Sequence, residues 1–176
     1  MEGPLPDSLY QMVDAAFTLS IHPRYADDLM EGVVDSLTRM IFKYSKELSG
    51  IPVAFDDVRF VTAKHAISDC LGTISVDVSC RFLVFAPAEG DELVGEVTLV
   101  SSLHVAFLVQ DTFHGTCNNI AEQLKVVKDA EGAMKFVDPR DEDIFVEVGT
   151  QIRVQIDRVE IVKHGIQLCC TFLGVA

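Results

Sequence analysis

Phe82-Leu83-Val84-Phe85-Ala86-Pro87-Ala88-Glu89-Gly90-Asp91-Glu92-Leu93-Val94-Gly95-Glu96-Val97-Thr98-Leu99-Val100 is two strands joined by a hinge. Upstream of it Ile74, Val76, Val78, Cys80, Phe82 and Val84 occupy every second position, with Ser75, Asp77, Ser79 and Arg81 between them. That is strand periodicity with one buried face. Near Phe85 both faces become apolar. Pro87 and Gly90 then break the pattern, because proline cannot donate to a ladder and glycine tolerates positive φ. Apolar positions resume at Leu93, Val97 and Leu99. The break predicts two β-rich modules, residues 1–88 and 89–176.

Outward from the hinge, the first module reads β-α-β-β. Odd positions from Val13 to Ile21 are apolar, predicting a strand that His22-Pro23 stops. Asp28-Leu29-Met30-Glu31 has capping-box form. Leu29, Val33, Val34, Leu37, Met40, Ile41, Tyr44 and Leu48 recur at spacings of three and four, predicting one long helix with a buried stripe, closed by Ser49-Gly50. Ile51–Val61 predicts a second strand, irregular at Asp56-Asp57. Thr62–Leu71 reads as an exposed loop.

The second module offers three short strands, Leu93–Val100, Val105–Val109 and Phe113–Cys117. Asn118-Asn119 can cap a short helix over 120–124. Residues 125–143 are charged, contain Gly132 and Pro139, and read as a long surface loop. Two strands follow, with a bulge near Asp157-Arg158 and a turn at His164-Gly165. Five strands with an insertion after the third fit an OB-type β-barrel. The fold class is therefore α+β: a helix on an antiparallel sheet, then a five-stranded OB-type barrel.

Charge and composition narrow the function. The 176 residues carry 14 Lys+Arg against 27 Asp+Glu, a formal net charge of −13. The acidity is spread over both modules, so a polyanion is repelled overall and any nucleic-acid contact must be local. The five cysteines, Cys70, Cys80, Cys117, Cys169 and Cys170, lack metal-ligand spacing and read as small buried hydrophobes. The N-terminus has no signal-peptide pattern, and no run reaches the roughly 20 apolar residues of a membrane span. A soluble intracellular protein without membrane contact is expected. No nucleophile, acid–base pair, phosphate loop or metal cluster emerges, so catalytic, cofactor and metal residues are expected to be none. For single-strand binding an OB barrel uses aromatics among basic residues. The candidates are Phe107, Phe113, Phe136 and Phe145 with Lys125, Lys128, Lys135 and Arg140, of which Phe107 and Phe113 fit strand patterns and suit a core.

The chain resembles the stalk subunits of cellular RNA polymerases, a group formed by the archaeal stalk protein and its eukaryotic relatives. The likeness lies in Leu19-x-x-His22-Pro23-x-Tyr25, Phe85-x-Pro87-x-x-Gly90-Asp91, Leu93-x-Gly95-x-Val97 and the closing Leu173-Gly174. Pro23-Arg24-Tyr25, Lys43-Tyr44-Ser45-x-Glu47-Leu48-x-Gly50, Ala54-Phe55-Asp56-Asp57-Val58 and Leu108-Val109 before Phe113 are similar to the RNA polymerase I member. Thr62–Leu71 departs from the group by lacking its usual glycines. The resemblance implies a non-catalytic nuclear, nucleolar subunit for rRNA transcription. Its tip would dock on polymerase core subunits through His22, Pro23, Arg24, Tyr25, Lys64 and His65. Its barrel would face an initiation factor and, through Phe107, Lys125 and Lys128, nascent RNA; a second small stalk subunit would be a further partner. A free OB-fold RNA-binding protein and the equivalent subunit of polymerase II or III are the alternatives.

Overall fold

The computed structural model describes residues 9–67, 72–128, 134–141, 144–163 and 165–176. Met1–Ser8, Asp69, Cys70, Leu71, Gly132, Glu142, Asp143 and His164 lie outside them. The chain divides into two compact units, Met1–Ala86 and Pro87–Ala176.

The first unit is a twisted antiparallel sheet with one helix. Strand β1 (Tyr10–Ile21) pairs along its whole length with β4 (Ile74–Phe85), and β2 (Ile51–Phe60) takes the other edge of β4. The alternation in sequence is the alternation in space. Val76, Val78, Cys80, Phe82 and Val84 are buried with Ile21, and helix α1 (Leu29–Thr38) adds Val33 and Leu37 to the same core. Bulk decides the crossing: a methyl on Gly32 would lie 2.5 Å from Ile21 and 2.9 Å from Tyr25, so only glycine lets α1 approach. The irregularity expected at Asp56-Asp57 is real. The β2–β4 register shifts between Asp56 and Arg59, and Asp57 has a φ of 51°.

Four local expectations are corrected here. The helix ends at Thr38, not near Leu48. The hydroxyls of Ser36 and Thr38 bond back to the carbonyls of Gly32 and Val34, competing with the helical pattern. Phe42 then turns to a φ of 59° and donates its N–H to the Pro52 carbonyl, so the chain leaves the helix to meet β2. Gly50 is no left-handed cap, since Ser49 takes the positive φ of 53°. Gly50 is needed because a methyl there would lie 2.6 Å from the Phe85 carbonyl oxygen. Asp28 does cap α1, accepting from the Glu31 N–H at 3.1 Å, but its own N–H goes to the Tyr25 carbonyl, so the reciprocal glutamate bond is not needed. The expected loop over 62–71 contains strand β3 (Ala66–Ile67), paired with β4 at Ser75 and Ile74. Two residues are too few to show periodicity.

The second unit is a closed barrel. β5 (Glu92–Val100), β6 (Val105–Val109) and β7 (Phe113–Cys117) form a meander. After α2 (Ile120–Gln123) come β8 (Lys125–Lys128), β9 (Met134–Val137) and β10 (Phe145–Val146), a separate three-stranded sheet in the order β10-β9-β8. β11 (Gln151–Val162) and β12 (Gly165–Val175) close the barrel in the order β11-β12-β7-β6-β5. β12 runs parallel to β7; the other pairings are antiparallel. Five strands with that single parallel pair give the OB-type architecture expected. The β11–β12 register shifts between Ile156 and Arg158, where a bulge was expected.

Two further corrections fall in this unit. Residues 125–143 are not simply a surface loop, because β8 and β9 pair there and Phe136 is fully buried. The charge of that segment hid a short amphipathic hairpin. Asn119 makes no side-chain cap on α2; its Oδ1 instead accepts the Phe172 N–H at 2.9 Å and the Cys117 thiol at 3.1 Å, tying β7 to β12. Cys80, Cys117 and Cys170 are buried free thiols, as their reading as small hydrophobes requires. Burial pushes Cys80 and Cys117 up to about 11 and Cys170 to about 12.

Candidate docking and nucleic-acid surfaces

One end of the first sheet collects the residues expected to dock. Ile21 pairs with Ile74, and Ile74 pairs on its other side with Ile67, so the turn after β1 and the segment at β3 share one end of the sheet. The turn is a single 3-10 turn, Pro23–Tyr25, capped by His22. Proline at the first position fixes φ where no N–H is needed, and His22 Nδ1 accepts the Arg24 N–H at 3.1 Å. The turn is therefore held by its own side chains.

Arg24 was expected to offer local positive charge. Its guanidinium instead lies over the Tyr25 ring, 4.5 Å from the centroid, and donates to the Tyr25 hydroxyl. Asp35 on α1 accepts from Tyr25 at 3.0 Å and from Arg39 at 2.8 Å, with Arg24 at 3.6 Å. Two arginines share the Asp35 carboxylate, and the Glu31 carboxylate also acts on Arg24. These groups are largely exposed and their pairing contributes little stability; its effect is to orient Tyr25.

Lys64 and His65 lie on a short excursion between β2 and β3. Val61 still donates to the Asp77 carbonyl, and Ala66 resumes pairing at Ser75, so residues 62–65 loop out from the sheet edge. Lys64 is exposed. The His65 ring packs 5.1 Å from that of Phe60, and its Nδ1 is buried with no hydrogen-bond partner among the described residues. Flanking this excursion, Val61 is 57% and Ile67 70% exposed. Both were absent from the sequence-based candidates, since Val61 reads as the end of the second strand and Ile67 stands alone in a segment that reads as an exposed loop.

The expected nucleic-acid residues do not form one surface. Phe107 has no exposed face. Its ring lies against Gly95 and Gly115, whose missing side chains make room for it, so it cannot stack on a base. Its place among the candidates is corrected for that reason. Lys125 and Lys128 are both exposed, but three residues apart on a strand they point to opposite faces. Phe113 and Phe136 are also buried. The pairing Lys125–Val137–Phe145, with Val127–Lys135 as the next row, puts Lys125, Lys135 and Phe145 on one face of the small sheet.

Among the described residues no group of three His, Cys, Asp or Glu is placed to hold a metal ion, and no helix is long and apolar enough to cross a membrane.

No family model matches the chain. Individual relatives do. The chain is 33% identical over 98 residues to DNA-directed RNA polymerase I subunit RPA43 of Mus musculus, covering 56% of this chain and 30% of that protein. It is 34% identical over 116 residues to the subunit of the same name in Schizosaccharomyces pombe, covering 64% of this chain and 65% of that protein. A probable RPA43 of Dictyostelium discoideum is 25% identical over 162 residues, which is 91% of this chain and 44% of that protein. The match thus spans about three tenths of the mammalian relatives' length. By these alignments the chain is similar to RNA polymerase I subunits of that name from animals, a slime mould and a fission yeast.

Proposed function

We propose that this chain is a non-catalytic stalk subunit of DNA-directed RNA polymerase I, acting in rRNA synthesis in the nucleus and nucleolus. The observation that carries this reading is the likeness to RPA43 from animals, a slime mould and a fission yeast. The helix-on-sheet unit followed by an OB-type barrel supports it. In this reading the end of the first sheet docks on the polymerase core. Pro23 and Tyr25 supply a rigid apolar contact, Val61 and Ile67 extend it, Lys64 supplies positive charge, and the Arg24–Asp35–Arg39 cluster orients Tyr25. His22 holds the turn, and His65 packs beneath the apolar end. The barrel unit is left to meet an initiation factor, and a second small stalk subunit is a further partner.

The test is affinity capture of the full chain from nuclear extract of its own source, with the co-purifying large subunits identified by mass spectrometry. Recovery of the polymerase I core supports the reading, and recovery of polymerase II or III, or of none, refutes it. Within it, Arg24→Glu with Lys64→Glu should cut recovery severalfold while leaving thermal unfolding unchanged. Unaltered recovery would move the docking surface elsewhere.

A further inference from the structure

The chain between α1 and β2 carries an exposed aromatic ring on a strained backbone. Phe42 sits at a φ of 59° and is 56% exposed. Left-handed backbone is costly for a bulky residue, and a turn that needed only the reversal would be served by glycine or asparagine. A ring left in water adds no burial in return. The conformation is nonetheless fixed. The Phe42 N–H donates to the Pro52 carbonyl at 2.9 Å, Ser45 and Gly50 exchange both backbone bonds, and the Ser49 N–H reaches the Lys46 carbonyl. Leu48 plugs this small irregular hairpin into the core of the first unit. Met40, Ile41 and Tyr44 are half-buried, so apolar surface continues along the chain on both sides of the ring. The same stretch is a basic island. Residues 39–46 hold Arg39, Lys43 and Lys46 and no carboxylate, in a chain of net charge −13. Asp35 takes Arg39 at 2.8 Å, whereas Lys43 and Lys46 are exposed and make no ion pair among the described residues. Ile51 pairs with Phe85 and Ile21 with Ile74, at opposite ends of β4, so the island lies at the end of the sheet away from the Pro23 turn. Strain held by a rigid frame, with an apolar group turned to solvent, marks a surface kept for something other than stability.

We propose that Phe42, Lys43 and Lys46 form a docking site for an acidic, apolar segment of a partner protein. A leucine or phenylalanine of the partner would pack on the Phe42 ring, and carboxylates beside it would meet the two lysines. A backbone already fixed in place spares the ordering that binding otherwise costs. A central aromatic anchor with charges at its rim is how a small interface concentrates its affinity. Charge selects the partner. A long polyanion meets the acidity of the rest of the chain, whereas a short acidic segment sets its few charges on the island alone. The site is separate from the end of the sheet proposed to dock on the polymerase core and does not depend on that reading.

The test titrates the full chain against a short fluorescent peptide of aspartate and glutamate interrupted by phenylalanine and leucine. A peptide with lysine in place of each acid is the control. Saturable binding of the acidic peptide alone is expected, weakened about tenfold or more by Phe42→Asn. Lys43→Glu with Lys46→Glu should weaken it by a similar factor and remove most of its salt dependence. Phe42→Asn also separates docking from folding. Asparagine accepts the left-handed backbone, so the thermal midpoint of the variant should equal or exceed that of wild type. A fall in that midpoint makes the ring structural and overturns the proposal. So does absence of peptide binding, equal binding by wild type and both variants, or equal affinity for the lysine peptide. Binding of a fluorescent oligouridylate through Phe42, with none of the acidic peptide, would make the island a nucleic-acid contact and overturns it likewise. Polymerase capture is scored in parallel. A chain that binds the acidic peptide through Phe42 but captures no polymerase refutes the stalk reading alone, and one that captures polymerase without binding the peptide refutes this proposal alone.

Discussion

Replacing Gly115 by alanine tests how the barrel is filled. A methyl group there would lie 2.2 Å from Cζ and 2.4 Å from Cε2 of Phe107. Carbon atoms prefer about 3.5–4.0 Å, so the ring would have to retreat by more than about 1 Å. It has nowhere to go. Phe107 is fully buried, and on its other flank a methyl at Gly95 would lie 2.4 Å from Cδ2. Overpacking of this kind costs about 1–3 kcal/mol, and the clash places Gly115→Ala at the upper end or beyond. Without the clash the sign would reverse. Gly115 is not among the glycines at positive φ, and alanine in place of glycine at a compatible strand position stabilises by about 0.5–1 kcal/mol. The assay is thermal unfolding by far-ultraviolet circular dichroism. All three tyrosines precede Pro87 and the chain has no tryptophan, so tyrosine emission reports separately on the first unit. For a unit of this size each kcal/mol moves Tm by about 4–8 °C, so a fall of roughly 10 °C or more in the barrel transition is expected. Phe107→Leu in the Gly115→Ala background should restore part of the loss, giving a coupling of about 0.5–3 kcal/mol. A variant as stable as wild type, or two substitutions that simply add, would refute the account of the ring's seat.

Asp28→Ala removes the helix cap and should cost about 1 kcal/mol, read as a lower tyrosine-monitored midpoint in urea. Asn119→Ala strands the Phe172 N–H in a partly buried site and should cost about 1–3 kcal/mol, seen in faster amide exchange at β12. At pH 8 iodoacetamide should label half-buried Cys169 well before Cys80, Cys117 and Cys170, whose raised values keep them as thiols; peptide mapping checks the order. The same values set a pH trend. Buried thiols that stay protonated to about 11–12, against 9.0 for an ordinary cysteine, favour the folded state below pH 9.0. That advantage is lost as pH rises from about 9 through 11–12, because the unfolded chain releases those protons first. Cys117→Ala with Cys170→Ala should lower stability at neutral pH yet flatten its decline above about pH 9.

Much of this was legible in the residues because burial on one face leaves a trace of period two. The spacing of Val76 to Val84, of Val13 to Ile21 and of Ile152 to Ile156 identified β1, β4 and β11. The Asp56-Asp57 and Asp157-Arg158 interruptions marked the register shifts. His22 and Pro23 stood out because proline stops a strand; the docking role proposed for them and for Tyr25 came from the resemblance alone.

Other features were not legible, since each depends on atoms distant in the chain. The apolar spacing continues from Leu37 to Leu48, but a carbonyl on Pro52 takes the N–H of Phe42 and ends the helical path. Phe107 suits a core by its strand pattern, but that two glycines, twelve residues before it and eight after, make room for its ring shows only in the fold. Lys125, Lys135 and Phe145 become neighbours only through strand pairing. Local sequence by itself determined where the long strands run and which of their faces is apolar, because those follow from each residue's transfer from water. Only the tertiary structure decided which glycine is a gap, which asparagine is a tie and which lysines share a face, because close packing is settled between chain segments that no short window contains.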